Sequence, residues 1–238
     1  MDVGKSFVYV FEDKKWFEKL LIGAVVAVIP IVNLALGGYG NEIIRRVTGR
    51  STEPLADWGD FGQKFVEGLL IAVAGLVYGL PALLFGIPLI PLIIGAATQA
   101  ENQQGIAWLL GGASLGLTCL LVLYALLFSF VFPAAQVNYA RKRTFAAAFY
   151  LREVFRLIGD NLGGYILAWL AYFVFALVAG AVLGFISTVL GWIPCVGWIL
   201  ALAATALLTP LVLVVYAHLF GQVGGEAALV VVEVPPVA

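Results

Sequence analysis

His218 is the only imidazole in the 238-residue chain, and Cys119 and Cys195 are its only thiols. A zinc site needs three or four such ligands converging, and one histidine with two separated cysteines does not supply them. Catalysis by His218 would need a second histidine, a cysteine pair or an acidic cluster at helical spacing, and none accompanies it. Its place near the end of the last apolar run, close to Tyr216 and Gln222, suits a cation at a helix C-terminus. Proton relays are marked by carboxylates inside membrane segments. Between Glu67 and Arg141 the only charged residue is Glu101, and between Asp160 and Glu226 there is none. No catalytic, metal or cofactor site is expected, and the chain reads as not an enzyme.

Three sets of residues remain as candidates for binding or assembly. Asn33, Gln136 and Asn138 are amides near helix breaks; they either satisfy freed backbone groups or, with His218, line a small polar cavity. Gly75 and Gly79, Gly112 and Gly116, and Gly180 and Gly184 form three small-xxx-small pairs, which let helices approach closely within one chain or between two copies. Arg45, Arg46, Arg141, Lys142 and Arg143 are basic residues beside apolar runs, placed to meet lipid headgroups or a partner on the cytoplasmic side.

The elements that carry these residues belong to a membrane. The chain is 63% hydrophobic and 11% charged, with a mean hydropathy of +1.04. Soluble domains are about half apolar and about a quarter charged. Several apolar runs exceed the roughly 20 residues needed to cross a hydrocarbon core. The net charge of −1 argues against a nucleic-acid partner. Every Lys and Arg lies in Lys5–Lys19, Arg45–Lys64 or Arg141–Arg156, while the connections around Glu101 and Pro194 have none. That asymmetry orients a multi-pass protein of the cell membrane with its basic face in the cytoplasm. Cys119 and Cys195 are expected at different depths, so no disulfide is predicted.

Taken in order, residues 5–18 place Phe7, Val10, Phe11 and Phe17 near helical spacing, an amphipathic helix suited to the headgroup region. Leu20 to Gly40 is interrupted at Ile29-Pro30-Ile31-Val32-Asn33, with basic residues on both flanks. A hairpin or re-entrant loop turning near Pro30 keeps both flanks on one side; the alternative is a single kinked helix. Trp58, Phe61, Phe65 and Leu69 form a second amphipathic lead-in. Spans are expected over 66–85, ending at Ile87-Pro88, then over 107–132, 162–190 and 199–220. Trp16 and Trp58 would mark the inner membrane surface, and Trp192 and Trp198 the outer turn. The glycine-rich segment from 223 to 238 is expected to be a flexible tail, strand-prone at Ala227 to Val234.

Three tandem units can be laid over one another, at about 1–50, 54–143 and 145–222, within a single membrane domain of residues 1–222. Each has an aromatic lead-in (Phe7 to Phe17, Trp58 to Phe65, Phe145 to Phe155). Each then has an apolar helix ending at Ile-Pro (Ile29-Pro30, Ile87-Pro88, Ile193-Pro194) and a returning helix with a tyrosine (Tyr39, Tyr139, Tyr216). The predicted fold is all-α, a polytopic helical membrane bundle of three amphipathic-helix-plus-hairpin units.

Phe11-Glu12-Asp13, Ile29-Pro30-Ile31-Val32-Asn33, Gly38-Tyr39 followed by Arg45-Arg46, Pro54-Leu55-x-Asp57-Trp58 and Phe65-x-x-Gly68-Leu69 together resemble a prokaryotic membrane family, domain of unknown function 4013. The likeness extends over residues 1 to about 220, and Asn33 stands where the family pattern has glycine. The resemblance implies a bacterial or archaeal integral membrane protein and supplies no activity. With no intramembrane charge, metal cluster or nucleotide loop, the residues favour a non-enzymatic accessory subunit, scaffold or membrane anchor. Its partners would be membrane lipids and either other membrane subunits or further copies of itself. The alternative is a transporter or channel for a small apolar or lipidic solute, with helices broken at Pro81, Pro88 and Pro91.

Overall fold

Apolar runs without charge fold here as helices longer than their prolines suggest. The computed structural model describes residues 1–51, 55–99, 104–193 and 196–233, and at Gln99 and 227–233 only the backbone. Among the described residues there are eight α-helices, in order α1 Val3–Val8, α2 Trp16–Val28, α3 Ala35–Thr48, α4 Phe61–Gln99, α5 Gln104–Lys142, α6 Leu151–Asp160, α7 Leu162–Gly191 and α8 Val196–Glu233. There is no strand among the described residues. The all-helical class is as expected.

Four helices, α4, α5, α7 and α8, are long and apolar enough to cross a membrane. Only 6% of the most apolar stretch of α5 is buried within the chain. Many apolar side chains on these helices, among them Leu84, Leu109, Val178, Phe185 and Ile199, face outward, which water would penalise and lipid tails would not.

Two compact units are present: Met1–Ala72 together with Ala134–Ala238, and Val73–Pro133. The smaller unit is a pair of helical segments. The Tyr124 hydroxyl donates to the Tyr78 carbonyl, Phe132 meets Tyr78 edge-on at 5.9 Å, and Phe132 also fills the space beside Gly75. In the larger unit α8 is the central post, packed by α2, α3 and α7. Leu36 and Val26, buried with Ala35, join Trp58, Phe65 and Leu213 in its core.

The chain doubles back at Pro30. Helix α2 ends at Val28, a 3-10 turn covers Val32–Leu34, and α3 returns. Ile31 adopts φ 70° at the bend, a conformation a β-branched side chain reaches only under strain. The ends of the hairpin meet again, because Lys19 and Arg46 bond the same residues, Leu55 and Asp57.

Several expectations are corrected. Residues 5–18 are not one amphipathic helix. A 3-10 turn at Tyr9–Glu12 follows α1, and Asp13 then reverses the chain, its carboxylate accepting from the Lys15 amide and its carbonyl from the Trp16 amide. Ile87-Pro88 does not end a helix. Helix α4 runs through Pro81, Pro88 and Pro91, as transmembrane helices tolerate when the freed carbonyls find other satisfaction. Trp58 lies before α4 and packs inside the unit, its ring stacked on Tyr39 at 4.5 Å and its indole N–H donating to the Lys19 carbonyl at 2.8 Å. It is not part of a surface belt. Of the segment 223–238, expected to be a flexible and strand-prone tail, residues 223–233 are helical and 234–238 lie outside the described residues. The expected hairpin tip at Pro194-Cys195 and the connection at Glu101 lie outside the described residues.

Candidate functional site

The polar side chains gather where α2, α3 and the start of α4 converge. Asp13 holds Lys19 (2.8 Å), Lys19 holds Asp57 (2.8 Å), and Arg46 reaches Asp57 (3.6 Å) and Glu42 (2.8 Å). Glu42 in turn pairs with Lys64 (2.7 Å). Six charges thus alternate in sign along one ladder, each beside an opposite neighbour. Arg45 and Glu67 form a separate, largely buried pair at 2.6 Å, and Gln63 donates to the other Glu67 oxygen.

Electrostatics follow from this order. The Lys19 hydrogen bond, working against partial burial and aided by the charges of Lys19 and Arg46, holds Asp57 below the usual carboxylate range. Burial alone would lower Lys19, yet its bonds to Asp13 and Asp57 raise it above 10.5.

Two glycines let the helices carrying these charges come together. A Cβ on Gly38 would lie 1.9 Å from the Lys64 carbonyl oxygen, and one on Gly68 would lie 1.7 Å from that of Leu34. Backbone touches backbone where α3 crosses α4. The sequence pairs do not play this part: beside Gly79, Gly112, Gly116, Gly180 and Gly184 an added Cβ would meet no described atom within 4 Å, and Gly75 meets only Phe132. Their faces point away from the chain's own packing. The close approaches use single glycines on facing helices, including Gly23 against Pro210, Gly221 against Val47 and Gly224 against Thr48 and Val137.

The four residues expected around a polar cavity occupy four different places. Asn33 is exposed near the hairpin bend. Gln136 is buried, donating to Asn41 at 2.9 Å and accepting from the Tyr216 hydroxyl at 2.8 Å. Asn138 donates to the Ala147 carbonyl and to Glu153. His218 contacts Ser6 at 2.8 Å and Gln222 at 3.0 Å and stacks on Tyr9 at 3.9 Å. His218 belongs to a seam in which the N-terminal segment lies along α8: the Tyr9 hydroxyl donates to the Val214 carbonyl, Ser6 meets His218, and the Asp2 amide donates to Gln222. The partners on α8 recur every fourth residue, one face of the helix.

A family model described as a protein of unknown function, DUF4013, matches residues 21–191. The chain belongs to the DUF4013 family. In this DUF4013 chain the matched span takes in Glu42, Arg46, Asp57, Lys64 and Glu67 and leaves Asp13 and Lys19 outside. It is narrower than residues 1 to about 220, so the Phe11-Glu12-Asp13 motif and His218 fall beyond it. No match was found among curated proteins or among solved structures.

Of the five basic residues expected to face lipid or a partner, the DUF4013 fold engages three internally. Arg45 pairs with Glu67, Arg46 with Glu42 and Asp57, and Lys142 with Glu153 at 2.5 Å. Arg141 and Arg143 are exposed. A cleft of about 300 Å³ opens between the last turns of α5 and helix α6. A second, about 310 Å³, lies over the charge ladder with Arg143 at its edge. Sequence reading missed the ladder because it sorted the basic residues by stretch; the signal available was the acidic residues interleaved with them, Asp13, Glu42 and Asp57.

Proposed function

We propose that this protein is a non-catalytic, multi-pass subunit or anchor of the cell membrane that positions other membrane components, with its basic face in the cytoplasm. The supporting observation is the returning hairpin at Pro30. With α2 and α3 entering and leaving on one side, four crossings by α4, α5, α7 and α8 leave all 13 Lys and Arg on that same side, the distribution favoured in cytoplasmic segments. Helix α2 has 13 residues, about 20 Å at 1.5 Å per residue. It falls short of a roughly 30 Å hydrocarbon core. The exposed Val28, Ile29 and Ile31 at the tip then lie in lipid.

A scaffolding role accounts for how the polar groups are used. Ladder charges, the Gln136 amide and the His218 ring all join one element to another. The transporter alternative drew on a helix broken at Pro81, Pro88 and Pro91, and α4 continues through all three. The test is gentle native purification of the full chain with mass spectrometry of what travels with it. A stoichiometric membrane protein partner is expected. A clean homo-oligomer carrying only lipid, with measurable solute flux in vesicles, would overturn the scaffold reading.

A further inference from the structure

The cleft between α5 and α6 is the place where exposed basic and apolar groups meet without being consumed by the fold. One wall is the last turns of α5, with Asn138, Arg141 and Lys142; the other is α6, with Glu153, Arg156 and Asp160. Glu153 is neutralised, since Lys142 contacts both of its oxygens and Asn138 donates to one. Arg156 meets Asp160 only at 3.5 Å and is itself 62% exposed. Arg141 makes no ion pair with any described residue and is exposed. The C-terminal carbonyls of α5 oppose an anion here, and Arg141 and Lys142 in its last turn offset them.

Helix α6 has 10 residues, too few to span a bilayer. It buries Val154, Leu157 and Ile158 and leaves Leu151 and Phe155 exposed, with Arg152 and Arg156 beside them. An outward stripe of leucine and phenylalanine flanked by arginines is the face of a helix lying at the headgroup level. Tyr150, also exposed, stands under the Lys142 ammonium at 5.4 Å.

We infer that this cleft binds the phosphate of an anionic phospholipid, with Arg141 and Arg156 contacting the phosphate and Leu151 and Phe155 lying against the acyl chains. The inference rests on the membrane reading above. Guanidinium groups suit phosphate oxygens because they offer paired donors in a planar fork. A free phosphate would share the arginines and leave the apolar stripe without a role.

The test uses the full chain in detergent, exposed to mixed phosphatidylcholine and phosphatidylglycerol micelles, with retained lipid counted by native mass spectrometry. The wild-type chain should keep phosphatidylglycerol in preference to phosphatidylcholine. Each of Arg141→Gln and Arg156→Gln should lower that retention about fivefold. Arg156→Lys, which keeps the charge and loses the fork, should fall between wild type and Arg156→Gln, and Lys14→Gln, exposed and outside the cleft, should change it little. Equal losses in Lys14→Gln, or none in the cleft variants, would overturn the site. Binding of inorganic phosphate alone with the same dependence on both arginines would overturn the lipid assignment. Because Arg141 is exposed, its variant folds independently of the outcome, and circular dichroism checks this. Failure of the membrane reading shows separately, as release of the protein from membranes by alkaline carbonate.

Discussion

Lys19 and Arg46 donate to the same carbonyl oxygen, that of Leu55, at 3.3 and 2.9 Å. One begins near the start of α2 and the other sits near the end of α3, so a single backbone atom records that the hairpin has closed. Asp57 repeats the record with its carboxylate.

Removing Lys19 should open this closure. Its ammonium is largely buried and serves Asp13, Asp57 and Leu55 together. Lys19→Met would leave the largely buried Asp13 without its cation and Asp57 with Arg46 alone, at a cost of about 3 kcal/mol. Denaturant unfolding in detergent should show this loss, while Lys14→Met, at an exposed position, should show almost none. Equal midpoints for the two variants would mean that the ladder does not hold the hairpin.

Acid should weaken this closure and, separately, the Lys142–Glu153 contact between α5 and α6, and the sign follows from the direction of each shift. Asp57 is held below its ordinary 3.8 by Lys19 first, and Glu153 below its ordinary 4.5 by Lys142 first and Asn138 next. A depressed carboxyl stabilises fully above its unfolded value and loses that contribution as pH falls through the folded one. Lys19, raised above 10.5, contributes fully below that value and is lost as pH climbs through its folded one. The unfolding midpoint should therefore fall below pH 3.8 and again above 10.5, and Asp57→Asn should flatten the acid limb. An unchanged acid limb in that variant would assign acid sensitivity elsewhere.

Glycine substitutions should separate true crossings from open faces. Gly38→Ala and Gly68→Ala each press a Cβ into a backbone carbonyl, which cannot rotate away. Overpacking costs about 1–3 kcal/mol even against side chains, so both variants should fall at or beyond the upper end. Gly112→Ala meets open space and should be neutral or gain up to about 1 kcal/mol in helix propensity. Thermal unfolding of the three proteins decides it.

His218→Ala should loosen the N-terminal segment. It removes the contacts with Ser6 and Gln222 and the stack on Tyr9, together about 2 kcal/mol. Amide exchange should rise over Val3–Val8 and stay unchanged in Val73–Pro133. Uniform change across both segments would show a global rather than a local role.

Legibility from sequence followed the range of the forces involved. Uncharged runs announced α4, α5, α7 and α8, because solvation reads composition alone. The bend at Pro30 was legible because charge on both flanks constrains the path between them. Pro88 misled, since a proline's penalty is judged against water, while apolar surroundings leave the helix no better alternative. Gly224 and Gly225 belong to the segment expected to be a flexible tail, yet a Cβ at either would fall within 3.4 Å of Thr48, so their smallness serves packing against α3. The paired glycines carried a local spacing signal, whereas Gly38 and Gly68 meet only through the fold. Such partnerships, like those of Asp57, have no counterpart in neighbouring sequence.

The seam between the N-terminal segment and α8 has a consequence for the order of synthesis. Ser6, Tyr9 and Val10 are buried, and the groups that receive Ser6 and Tyr9 are Val214 and His218. These emerge from the ribosome 205 and 212 residues later than the groups they receive. Until then Tyr9 and Val10 have no native cover, and contacts between distant parts of a chain are the slow ones to form. The segment that holds Tyr9 and Val10 must wait for α8, so a nascent chain stalled before α8 would still present them to chaperones or insertion machinery.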